Sequence, residues 1–193
     1  MKSEPGRLIY SPIGVLSSRV HGIHKIINMR KALIVIDIQR GFLNPLTKNL
    51  PAKIKKFLEL NKNNFNLILF TQYFNRPNSP FVKFLNWRGF IDKKENDLCE
   101  EIKPLINKNN LFKKYTYSSF VDNKLLNILK KNKIGEVYLM GISTENCVLT
   151  FSRDAFDRGF KVVVLKNYCA SADSKKLHQA ALEIIKNNIG QVK

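Results

Sequence analysis

The sequence is poor in the residues that build metal centres and disulfide scaffolds. It has three histidines, His21, His24 and His178, too few and too scattered for a histidine-rich metal site. Its three cysteines, Cys99, Cys147 and Cys169, are an odd number without CxxC spacing. They supply neither a disulfide framework nor a zinc site, and they point to a reducing, cytoplasmic compartment. No apolar run approaches the roughly 20 residues that span a bilayer, so no membrane partner is expected. Acidic residues are scarce, 15 against 33 basic ones, for a net charge of +18. Such a balance suggests nucleic acid as a partner. The basic residues are mostly lysine, however, spread along the chain among many asparagines. No RNA-binding aromatic signature, zinc finger or recognition-helix pattern accompanies them. A lysine- and asparagine-rich compositional bias accounts for the charge, and no nucleic-acid partner is expected.

What is present is ordinary globular material. A hydrophobic fraction of 44% with 10% aromatics over 193 residues suits one domain with a sizeable core. Residues 1–28 stand apart, with Pro5, Gly6, Pro12 and Gly14 and no sustained period. They carry Arg7, Arg19 and Lys25 but no apolar core or cleavage site for secretion. They read as a disordered extension, or as upstream sequence translated from a start assigned too early. The domain itself is expected over residues 29–193, from Met29 onward.

Residues 32–38, ALIVIDI, form a near-continuous apolar run of the kind buried on both faces of a parallel sheet. Asp37 interrupts it at the C-terminal end, where a carboxylate is costly unless paired or functional. A helix follows over 51–60, with Ile54, Phe57 and Leu58 inward. Residues 66–71 are a second buried strand. The loop beyond it is long and aromatic, and Tyr73, Phe74, Arg76 and Trp87 are each placed to face a ligand. A short helix is expected within 97–106, broken at Pro104, with Cys99 at or near the surface. A short strand over 111–113 ends at Lys114, and a helix spans about 121–131. Residues 136–140 form a strand before the turn GISTENCV, and 162–165 form another, with Cys169 in the loop beyond. A closing helix over 174–187 has Leu177, Ala181, Leu182 and Ile185 as its apolar face, and His178 there reads as structural. Strands alternating with helices give an α/β domain with a parallel sheet.

In such folds ligands bind beyond the strand C-termini. Asp37, Lys114 and Cys147 sit at three such ends. With Thr144 as cap, Cys147 falls in the first turn of a helix whose Val148, Phe151, Ala155 and Phe156 form one stripe. N–H groups at a helix start favour a thiolate and receive a developing oxyanion. An acid, a lysine and a cysteine at one site suggest covalent catalysis on a carbonyl. Cys147 attacks, Asp37 takes the thiol proton and returns it to the leaving amine, and Lys114 holds Asp37.

Four segments, ALIVIDIQRGF, TQYFNRPNSPF, FKKYTYSSF and GISTENCVLTFSRDAFDRGFKVVVLKNYCAS, run in order from residue 31 onward. In them the chain resembles the isochorismatase-like cysteine hydrolases. The resemblance implies a three-layer α/β/α sandwich with a mainly parallel sheet, and an Asp–Lys–Cys triad that matches Asp37, Lys114 and Cys147. Lys113 competes for the lysine role, and the spacing from Lys114 to Ser118 and Phe120 favours Lys114. The resemblance further implies a cis peptide bond between Ile142 and Ser143, and an oxyanion hole made by the N–H groups of Ser143 and Cys147. Gln39, Phe42, Asn75 and Trp87 are the candidate substrate-pocket residues.

Nicotinamidases of this family carry a metal-binding Asp and histidines after the second strand. Here that place reads TQYFNRPNS, so no metal and no cofactor are expected. Isochorismate-cleaving members often lack the cysteine, which this chain keeps. The expected activity is therefore hydrolysis of an amide or ureido C–N bond in a small molecule, by a homo-oligomer. A non-catalytic binding member of the family is the alternative reading; an isochorismate-type hydrolase and a nucleic-acid binder rank lower. A chain that starts at Met29 should melt at the same temperature as the full chain, and a clear fall in melting temperature would show that residues 1–28 pack on the domain.

Overall fold

The computed structural model describes residues 29–193. The extension read at 1–28 lies outside the described residues. Six parallel strands form one sheet in the order β3-β2-β1-β4-β5-β6. They are β1 (Arg30–Ile36), β2 (Leu67–Tyr73), β3 (Leu111–Lys114), β4 (Ile134–Ile142), β5 (Lys161–Ala170) and β6 (Gln191–Val192). Helices cover both faces, giving a three-layer α/β/α sandwich. They are α1 (Leu50–Asn61), α2 (Pro80–Leu85), α3 (Lys93–Asn96), α4 (Lys124–Lys131), α5 (Leu149–Asp157) and α6 (Lys175–Asn188).

The apolar runs in the sequence mark the central strands. Ala32, Leu33, Ile34, Val35 and Ile36 are all buried, because β1 is paired on both edges and covered on both faces. Sequential strands step outward from β1 through β2 to β3, and then the chain returns to the other side of β1 as β4. The strand order therefore reverses between β1 and β4, and a crevice opens beyond their C-terminal ends.

Several local features depart from the sequence reading for identifiable reasons. Helix α4 begins at Lys124, not near 121, because Asn123 adopts a left-handed φ of 57° and leaves Val121 exposed. On α5 the buried residues are Phe151, Ser152 and Ala155, while Phe156 is exposed. A π-helical turn over Thr144–Val148 precedes α5, and its wider register rotates the apolar stripe away from Phe156. Phe57 is only partly buried and packs on Tyr168 with ring centroids 4.6 Å apart. Leu177 is exposed, so the inner face of α6 is Ala181, Leu182 and Ile185. Cys99 is buried in the core, and Cys169 lies within β5, which is longer than expected. In place of a helix broken at Pro104 there is a single 3-10 turn, Lys103–Leu105. The two-residue β6 was too short to show any period.

Gly141 makes the switch point possible. Its φ is +138°, and a Cβ there would lie 2.1 Å from the carbonyl oxygen of Ile36. Only glycine permits this approach of β4 to β1. Gly141→Ala should destabilise the protein by roughly 2–4 kcal/mol, from backbone strain plus a contact that cannot relax. Denaturant unfolding measures this, and an unchanged midpoint would contradict it.

Candidate active site

Asp37 is the first residue beyond β1. It is fully buried, with a left-handed φ of 51°. Its backbone N–H donates to Thr71 O at 3.2 Å, and the Thr71 hydroxyl donates to Asp37 Oδ1 at 2.6 Å. These two bonds turn the carboxylate toward the crevice. Lys114 ends β3, two strands away, and its side chain crosses the end of β2. Lys114 Nζ lies 2.8 Å from Asp37 Oδ2 and 3.1 Å from Cys147 Sγ. Two carbonyls of the loop after β3 orient the ammonium, Thr116 O at 3.0 Å and Tyr117 O at 3.4 Å. The ammonium thus sits between carboxylate and sulfur with its protons directed. Lys113, on the opposite face of β3, is exposed, with its ammonium 5.4 Å from the Phe74 ring centroid.

Cys147 lies in the π-helical turn that begins β4's return path. The peptide bond between Ile142 and Ser143 is cis. Ser143, rather than Thr144, occupies the cap position, and it makes no side-chain cap bond. The short polar residues of the turn are instead tied outward. Ser143 Oγ accepts from Ala172 N at 3.2 Å, Thr144 Oγ1 is 2.8 Å from His178 Nδ1, and Ser171 Oγ donates to Glu145 Oε1 at 2.8 Å. His178 is thus a strut between α6 and the cysteine turn. Within the turn, Asn146 N and Val148 N both donate to Ser143 O at 3.2 Å. The residue between them whose N–H an α-helix would direct to that oxygen is Cys147. The π register passes it over.

Burial pushes the Cys147 thiol up to about 12; Lys114 opposes this and Asp37 adds to it. Burial thus works against the thiolate that the helix start favours. Cys147 is 6% exposed, and that burial favours the protonated thiol. Burial also pulls Lys114 down, but the Asp37 carboxylate and Cys147 more than offset it, so the ammonium is held above its ordinary range. A buried pair of this kind is stable as a pair and costly when one partner is removed.

The four residues singled out for a substrate pocket have other attachments. Gln39 is fully buried; its amide donates to Tyr73 O and Asn96 O, both at 2.9 Å, and accepts from Tyr73 N at 2.7 Å. It holds β2's end to the loop after β1 and does not face a ligand. Asn75 donates to Trp87 O and Gly89 O and accepts from Arg76 N, so it clamps the aromatic loop. Phe42 packs on Phe90, with centroids 4.1 Å apart, and Trp87 lies 6.0 Å from Tyr73 at the edge of the same cluster. Thr71, which orients Asp37, was missed. Its signal was a polar residue closing an apolar strand one position before the loop.

The isochorismatase domain model matches residues 31–193. The chain belongs to the isochorismatase family. It is a hydrolase by that membership. An isochorismatase family protein of Bacillus subtilis, PncA, is 36% identical over 100 residues, 49% of this chain and about half, 54%, of its own length. The crystal structure of nicotinamidase PncA from Bacillus subtilis superposes with a TM-score of 0.74 at 26% identity, covering 85% of this chain and 99% of that one. N-carbamoylsarcosine amidase from Thermoplasma acidophilum shares the fold, with a TM-score of 0.72 at 20% identity over 86% of this chain and 96% of that one.

The metal that the family resemblance implies for nicotinamidases finds no fitting donors here. The Asn75 oxygen already accepts from Arg76 N and Ser79 Oγ. The next side chain is a guanidinium, 3.6 Å over the Tyr115 ring. Among the described residues no three His, Cys, Asp or Glu side chains gather as ligands. Asp37 is taken by Lys114 and Thr71.

Of the three cysteines, Cys147 is the one with an ammonium within hydrogen-bond distance of its sulfur. Iodoacetamide should label it ahead of Cys99 and Cys169 at neutral pH. Lys114→Met should slow that labelling and destabilise the fold by about 3–5 kcal/mol, because it leaves Asp37 buried without its counter-charge. Equal labelling rates at Cys147 in the two proteins would remove Lys114 from the site's chemistry.

Proposed function

We propose that this protein hydrolyses the C–N bond of a small amide or ureido compound through a thioester on Cys147. One observation carries the reading: a single buried ammonium, Lys114, contacts both the Asp37 carboxylate and the Cys147 sulfur. That arrangement places an acid–base group and a nucleophile on either side of one fixed positive charge. Because burial disfavours a free thiolate, attack and deprotonation are coupled in this reading. As Cys147 Sγ bonds to the substrate carbonyl carbon, its proton passes to Asp37.

The carbonyl oxygen gains negative charge at this step. The Ser143 and Cys147 N–H groups are the proposed donors for it, and the second of these is the N–H that the π register leaves out of the bonds to Ser143 O. One such donor is worth roughly 3–4 kcal/mol in the transition state. Collapse of the tetrahedral intermediate breaks the C–N bond, and Asp37 returns its proton to the departing nitrogen, released as ammonia or an amine. A water, deprotonated by Asp37, then attacks the thioester; the acid leaves and the thiol regains its proton. Lys114 remains protonated throughout and keeps Asp37 in place through both proton transfers. The net change is one amide and one water to one acid and one amine.

A panel of small carboxamides and ureido acids, assayed for ammonia release, tests this reading. At least one member should be turned over, and Cys147→Ala should lower that rate by at least about a thousandfold. Turnover should persist in the presence of a chelator. Release that is unaffected by Cys147→Ala, or lost to the chelator and restored by zinc, would overturn the proposal.

A further inference from the structure

Tyr73 is the last residue of β2, and three independent placements direct it into the crevice. Side chains alternate along a strand, so Tyr73 shares a face with Thr71, whose hydroxyl touches Asp37. Tyr73 is also the register partner of Lys114 on β3. Lys114 Nζ, in contact with the Cys147 sulfur, lies 5.3 Å from the Tyr73 ring centroid. The ring is fixed from behind by Phe81, Trp87 and Phe90, at centroid distances of 5.6, 6.0 and 5.7 Å.

The hydroxyl at the end of this fixed ring has nothing to bond to. Tyr73 is 3% exposed, and its hydroxyl oxygen has no hydrogen-bond partner among the described residues. Buried tyrosine hydroxyls ordinarily find one, and leaving the group unmatched costs on the order of 1–3 kcal/mol. Burial first, with the Asp37 carboxylate nearby, holds the phenol's proton on above its usual range. The group is therefore a donor in search of an acceptor, and a ligand is what the crevice can bring.

We propose that Tyr73 is a substrate-binding residue whose hydroxyl donates to an acceptor, a carboxylate oxygen or a ring nitrogen, on the acyl part of a small carboxamide. The inference rests on the hydrolase reading only for the placement of the carbonyl over Cys147. A compound with hydrocarbon in the acceptor's place leaves the hydroxyl buried and unmatched, which is how a site of this kind discriminates.

The test is a binding measurement on the full chain carrying Cys147→Ala, so that no turnover intervenes. Isothermal titration compares a pyridine carboxamide with benzamide, and succinamate with butanamide. In at least one pair the acceptor-bearing compound should bind about tenfold more tightly, the value of one well-placed hydrogen bond. Adding Tyr73→Phe should reduce that preference to less than about threefold. The pair that responds tells ring nitrogen from carboxylate. A preference that survives Tyr73→Phe, an equal loss across all four compounds, or no preference in either pair would overturn the proposal. So would a lower melting temperature for Tyr73→Phe, since removing an unmatched hydroxyl should not destabilise the fold. Hydrolysis of the same compounds by the unmodified protein separates the two readings. A Tyr73-dependent binding preference without turnover refutes the hydrolase and keeps the subsite; turnover indifferent to Tyr73 does the reverse.

Discussion

The ion pair between Lys114 and Asp37 is the constraint on which the site depends. Both groups are almost completely buried, and among the described residues neither has another charged partner at hydrogen-bond distance. Burying two charges costs several kcal/mol each before their attraction repays it. The surroundings show how the repayment is arranged. Thr71 donates to one carboxylate oxygen, while Thr116 O and Tyr117 O accept hydrogen bonds from the ammonium. The pair also sets the state of the thiol beside it. An isolated buried cysteine is inert, but this one touches a positive charge that is itself neutralised by a base. The acid–base group, the cation and the nucleophile are one electrostatic unit, so no member can be understood alone.

The fold supplies the geometry this unit needs. Parallel strands deliver their C-terminal ends to one edge, and the reversal of order between β1 and β4 keeps the loops there from closing over one another. Asp37 and Cys147 follow the two strands that flank the reversal. Gly141 brings those strands together where any side chain would collide with Ile36 O. Lysine is the one of the three with a side chain long enough to act from a strand that is not adjacent to β1.

Much of this was legible because burial on both faces leaves a plain mark. ALIVIDI and the apolar core of β4 announce central parallel strands, and a charged or nucleophilic residue just past such a run stands out. Family resemblance then ordered the three positions. What the chain did not reveal was local. The π turn has no compositional signature, so Phe156 was added to a stripe whose Val148, Phe151 and Ala155 are buried as read, and Thr144 was taken as the cap. The fate of Gln39 and Asn75 depended on which carbonyls the aromatic loop would offer, and no spacing rule contains that. The burial that opposes a thiolate at Cys147 was likewise not legible, because it depends on what packs over the sulfur. Tyr73 was visible as an aromatic in a pocket-forming loop, but its empty hydrogen bond was not.

The position of Lys114 has a dynamic consequence. β3 is the outermost strand on its side, only four residues long, and is held to the sheet along β2 alone. Edge segments of this kind open locally at a fraction of the free energy of global unfolding. When β3 frays, the ammonium withdraws while the nucleophile and the carboxylate stay just beyond the ends of the central strands β4 and β1. The protein can thus lose its reactive arrangement without losing its core, and heat or mild denaturant should silence the site while most of the backbone is still folded.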